Sequence, residues 1–155
     1  MPTPHNKQQI ITVLIKDIQC DIADYRQLYK LMLQQHQCYL KFDGVLLSQL
    51  TEQQLPLLNQ LTQRSQQRTQ QLHKLGLSIN NQSMNKLIHA LPHAIQSKLQ
   101  QQWQTLEKLV KQCHDLNQRN GILSANFSEL LNQVYAQIPQ QNGNNAYSTP
   151  HLMQY

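Results

Sequence analysis

The residues of this chain that could do chemistry by type are seven histidines, three cysteines and eight carboxylates. His89 and His93 are four apart, the spacing of two metal ligands on one helical face, but Pro92 lies between them and distorts that geometry. Cys113 and His114 are neighbours, so a helix would point them to different sides and no nucleophile and base pair is indicated. Cys20, Cys38 and Cys113 have neither metal nor redox spacing, and their odd number argues against a disulfide framework. Reduced, half-buried thiols are expected. The acidic residues form no pair suited to general acid and base work, and four glycines build no phosphate loop. No catalysis, metal or cofactor is expected; the work of the chain is binding.

The informative polar residues are those inside an apolar repeat. Ile95, Leu99, Trp103, Leu106, Val110, Cys113, Leu116, Leu123, Phe127, Leu130, Val134 and Ile138 recur at helical spacing, and that period passes through Asn117, Asn120 and Gly121. A glycine inside a helix costs roughly 1 kcal/mol relative to alanine. Either the helix breaks at an Asn-Gly turn, or something packs close to the backbone there. The surviving phase of the stripe favours a continuous helix.

The elements that position these residues are helices. With hydrophobic residues at 39% and charged residues at only 14%, the chain fits a single domain without a deep spherical core. Twenty-nine glutamines fill the gap; Gln forms helices well and coats their solvent faces. The formal charge of +5 comes from Lys and Arg scattered along the chain, with few aromatics to stack bases, so nucleic acid is not an expected partner. No apolar segment follows Met1 as a secretory signal and no run is long enough to span a bilayer, which predicts a cytoplasmic protein without membrane insertion.

The pattern predicts an all-α fold, an antiparallel bundle of long amphipathic, coiled-coil-like helices with a flexible C-terminal tail. Residues 1–10 are expected to be a flexible start, 11–138 the bundle and 139–155 a disordered tail. The first helix reads from about Gln8 to Phe42, with Ile11, Leu14, Ile15, Ile18, Ile22, Tyr25, Leu28, Tyr29 and Met32 on one stripe. Asp43-Gly44 ends it, the glycine tolerating a left-handed corner. Thr51-Glu52-Gln53-Gln54 has the spacing of a capping box for the second helix, which would place Pro56 in its first turns. Ser65, Arg68 and Thr69 stand where the middle of that helix should be apolar, so packing there is expected to be thin. Gly76 is its stop, Leu77 to Gln82 a loop, Ser83 the cap of a short helix over Met84 to Leu91, and Pro92 the start of the last helix, to about Gln137.

The N-terminal amphipathic helix, the corner at Lys41-Phe42-Asp43, the run Leu50-Thr51-Glu52-Gln53 and the segment Leu116-Asn117-x-x-Asn120-Gly121-x-Leu123 together resemble the FlgN family of flagellar export chaperones, over roughly Ile11 to Tyr135. Only the Asn-x-x-Asn-Gly segment is distinctive. The resemblance implies a small cytoplasmic helical protein that binds the C-terminal segments of hook-associated (hook-filament junction) proteins. It would keep them from assembling early and deliver them to the flagellar type III export apparatus. It further implies that the last helix offers the client groove. Leu116, Leu123, Phe127, Leu130, Leu131, Val134 and Ile138 would form an apolar floor, Asn117 and Asn120 would fix register, and Gly121 would allow close helix approach. Alternatively, those apolar residues simply pack against the first helix. A tail tyrosine, Tyr147, is implied in docking the cytoplasmic domain of the export gate, although Ser148 follows it where the family tends to have glycine. The export ATPase complex is a further implied partner, and a homodimer stays open. The rival reading is a structural coiled-coil scaffold or adaptor without chaperone activity, against which Pro56, Gly76 and Pro92 interrupt any long continuous seam.

Overall fold

The computed structural model of the chain describes residues 3–77 and 81–137. They form four helices, α1 (Pro4–Lys41), α2 (Gly44–Lys74), α3 (Asn81–His89) and α4 (His93–Gln137). Helix α1 starts earlier than the apolar stripe indicates, so the expected flexible start is helical from Pro4. The Thr3 hydroxyl accepts from the Asn6 N–H at 3.4 Å, and Pro4 supplies a helical φ where no N–H is needed.

The corner between α1 and α2 differs in its chemistry from expectation. The left-handed residue is Phe42, at φ 57°, and Gly44 is already the first residue of α2. A side chain in that conformation costs on the order of 1 kcal/mol. Its ring is held by stacking on Phe127, centroids 5.6 Å apart. Asp43 caps α2, its carboxylate accepting from the Leu46 N–H at 3.1 Å. With the cap at Asp43, Thr51 is no capping box but an interior residue: its hydroxyl donates to the Leu47 carbonyl at 2.9 Å and accepts from Gln35 Nε2 at 3.2 Å. Pro56 accordingly lies well inside α2.

Gly76, at φ 76°, ends α2 as expected. Its N–H donates to the His73 carbonyl and the Leu77 N–H to that of Leu72, the paired bonds of a glycine C-cap. Ser83 does not cap α3 but is buried inside it, because the helix begins at Asn81. Met84, Leu87 and Ile88 close the end of the bundle over Leu14 and Ile18. The Pro92 carbonyl then accepts from the Ile95 and Gln96 N–H groups and opens α4. Helix α4 runs unbroken through Asn120 and Gly121, about 68 Å at 1.5 Å per residue.

A fixed register joins α1 to α4. Cys113 Sγ donates to the Tyr25 carbonyl at 3.7 Å, Asn120 Nδ2 donates to the Met32 carbonyl at 2.9 Å, and the Tyr39 and Phe127 rings meet edge to face at 6.3 Å. Each pair is 88 residues apart, so the two helices run parallel with heptads in step. On α1 the seam is Leu14, Ile18, Asp21, Tyr25, Leu28, Met32, Gln35 and Tyr39; on α4 it includes Leu99, Leu106, Cys113, Asn120 and Phe127. Helix α2 runs antiparallel to both, giving an up, down, up order of long helices. Here α1 is central: it packs along both α2 and α4, which have next to no backbone-level contact with each other.

Between the core clusters lies a polar tie. Asp21 is 1% exposed and receives Arg64 Nε at 2.5 Å and Arg68 Nη1 at 2.7 Å, while Arg64 also pairs with Asp24. The Arg68 guanidinium sits 5.9 Å from the centre of the Trp103 ring, so this one network links all three long helices. Asp17 lies in the same field; its burial raises its carboxyl above the usual range, with the Arg68 charge opposing. Among the described residues no helix is long and apolar enough to cross a membrane.

Candidate binding groove

Because α2 and α4 cover two faces of α1 without closing on each other, a third face stays open as a groove of about 860 Å3. Tyr25, Leu28, Met32, Gln35 and Tyr39 form its floor. Thr51, Gln54, Leu55, Leu58, Thr62, Ser65 and Gln66 form the α2 wall, and Val110, His114, Asn117, Gly121, Ser124 and Ala125 the α4 wall. None of these described lining residues is Asp, Glu, Lys or Arg. Burial, and to a lesser degree the Asp21 charge, pushes the Tyr25 phenol up; burial does the same to Tyr39 and raises the Cys113 thiol to about 11. The groove therefore carries no acidic charge near neutral pH.

The residues expected at the site divide into three groups. Leu116, Leu123 and Phe127 pack onto α1 and its neighbours: Leu116 is buried with Leu28, Met32, Leu61 and Cys113, while Leu123 and Phe127 lie against the cluster of Leu31, Cys38, Tyr39, Leu47 and Leu50. Asn120 is also spent inside the chain. Beyond its bond to Met32, its Oδ1 meets His36 Nδ1 at 3.1 Å, so it fixes the register of α4 on α1. Asn117 and Gly121 line the groove, and Asn120 reaches its base. A Cβ built on Gly121 would meet nothing within 4 Å, so the chain's own packing does not require this glycine, and the missing side chain leaves the wall open.

Leu130, Leu131 and Val134 form the third group, exposed at 40%, 50% and 49%. The register explains them: α1 ends at Lys41, opposite position 129 of α4, and the last turns of α4 project past it. Phe42, Val45 and Leu46 are exposed at the same end. Ile138, Tyr147 and the tail 139–155 lie outside the described residues.

Sequence reasoning missed the α2 wall. Its signal was the interruption of the α2 stripe: Ser65 lines the groove, and Arg68 turns away to Asp21 and Trp103. Two of the candidate histidines are occupied locally. His89 Nδ1 lies 2.6 Å from the Asn85 carbonyl, His114 pairs with Gln118 at 3.2 Å, and the described residues hold no group of His, Cys, Asp and Glu suited to a metal ion.

A parallel pair of helices flanked by one antiparallel helix, with an open groove along the central one, defines an all-helical bundle protein. The FlgN protein family model matches residues 1–153, and the chain belongs to that family. The fold is similar to the crystal structure of a flagella synthesis protein FlgN from Pseudomonas aeruginosa, at 23% identity and a TM-score of 0.67, over 88% of this chain and 98% of that one. No curated protein matches the chain by sequence. Membership gives the chain a flagellar role.

Proposed function

We propose that this protein is a cytoplasmic type III export chaperone. It binds the C-terminal segments of flagellar hook-associated (hook-filament junction) proteins, prevents their premature assembly and delivers them to the export apparatus. The observation that carries this reading is the open groove on α1, about 860 Å3, walled by α2 and α4. A segment disordered in the free client would fold into it as an amphipathic helix. The exposed turn bearing Leu130, Leu131 and Val134 would extend the apolar contact. Delivery would use the cytoplasmic domain of the export gate, with Tyr147 as the contact, and the export ATPase complex.

The test is size-exclusion chromatography with light scattering on a mixture with a full-length hook-filament junction protein. A one-to-one complex, with the client held monomeric at concentrations where it otherwise assembles, is the expected outcome. Separate elution of the two, with the client still assembling, would refute the proposal. Self-association of this protein that rises with concentration would favour a scaffold.

A further inference from the structure

We infer that Gln54 is the residue that reads the docked segment, donating from its side-chain amide to a neutral acceptor on the inserted face of a four-turn helix; this rests on the groove being the client site. Gln54 lines the α2 wall one turn from its Thr51 end and is only 9% exposed, yet its Nε2 is buried without a hydrogen-bond partner. A buried amide donor left unpaired is unfavourable, and natural proteins rarely keep one without a use. Among the described residues no group of the free chain bonds it, and the nearby hydroxyls have spent their protons elsewhere. The Thr51 hydroxyl donates to the Leu47 carbonyl and accepts from Gln35, while the Thr62 hydroxyl donates to the Leu58 carbonyl.

The groove specifies the rest of the occupant. Its lining spans Tyr25 to Tyr39 on the floor, Thr51 to Gln66 on α2 and Val110 to Ala125 on α4. Each is about 22 Å of helix, the length of about four turns. The α4 wall is low where Gly121, Ser124 and Ala125 succeed one another, which lets a partner backbone come close. With no Asp, Glu, Lys or Arg in the lining, a charged residue inserted beside Gln54 would be buried without a permanent counter-ion. The acceptor opposite Gln54 is therefore an amide carbonyl or hydroxyl, not a carboxylate. The partner is a helix whose inserted face is apolar and uncharged, carrying one such polar residue.

The experiment is calorimetric titration of the wild type, Gln54→Leu and Ala125→Glu with the C-terminal segment of a hook-filament junction protein, beside thermal unfolding of each free protein. Gln54→Leu is expected to bind about tenfold more weakly, the loss of one well-made hydrogen bond. The free variant should melt higher than wild type, because the unpaired donor is gone. A role for Gln54 in holding the fold together would instead lower melting temperature and affinity alike, and overturns the inference. So does unchanged affinity in Gln54→Leu while Ala125→Glu abolishes binding, a result that leaves the groove reading intact. Undiminished binding by Ala125→Glu, or none by the wild type, overturns the groove reading and the inference with it.

Discussion

Replacing Asp21 with alanine should destabilise the bundle by about 3 kcal/mol, the low end of the range for breaking a buried ion pair. The structure sets that level. Asp21 is 1% exposed and serves both Arg64 and Arg68, whose side chains are only 17% and 13% exposed. After the substitution Arg64 still has Asp24, but Arg68 loses its ion pair and keeps the Trp103 ring and the more distant Asp17 carboxyl. One guanidinium is left poorly compensated, rather than two. For a domain of this size each kcal/mol moves the melting temperature by about 2–4 °C, so the expected fall is about 6–12 °C. Far-ultraviolet circular dichroism against temperature reads it directly, since the described chain is almost wholly helical. The double variant Asp21→Leu with Arg68→Met removes charge on both sides and should recover much of the loss. A shift of less than about 2 °C for Asp21→Ala would refute the reasoning, because it is what a solvated surface pair gives.

Three further outcomes follow from the same geometry. Asn120→Ala loses the bonds to the Met32 carbonyl and His36, and urea unfolding should report a loss of about 2 kcal/mol; unchanged stability would mean these bonds do not fix the register. Gly121→Ala meets no neighbour within 4 Å and gains helix propensity, so the free protein should gain up to about 1 kcal/mol while client affinity falls; a destabilised variant would show that the chain itself needs this glycine. Burial raises the Cys113 thiol from 9.0 to about 11, so the folded chain holds this proton more tightly than the unfolded one. The corresponding stability is complete below about pH 9 and is lost as the pH rises towards 11. Urea midpoints of the wild type should therefore fall more steeply over that window than those of Cys113→Ala, and parallel curves would contradict the assignment.

Much of the architecture was written in local patterns. The stripes of α1 and α4, the glycine stop at Gly76 and the restart at Pro92 each depend on residues within a turn or two, and all are where the pattern put them. The capping motif at Thr51 failed because Asp43 caps α2 two turns earlier, and a helix already begun makes Thr51 an interior hydroxyl. The site was less legible for a different reason. A polar residue on an apolar stripe is equally compatible with a bond inside the chain and one to a partner; register, which depends on helix packing, decides that Asn120, at the base of the groove, bonds to Met32 and His36 while Asn117 and Gly121 line the wall. The exposure of Leu130, Leu131 and Val134 depends on where α1 ends relative to α4. The α2 wall is visible only once α2 and α4 are seen to stay apart across α1.

Titration calorimetry against the C-terminal segment of a hook-filament junction protein, with a flagellin C-terminal segment as control, tests the central claim most directly. Client binding in the groove requires tight one-to-one association with the first segment alone and a negative heat-capacity change from apolar burial. Absence of binding to either segment, or equal binding to both, would contradict it.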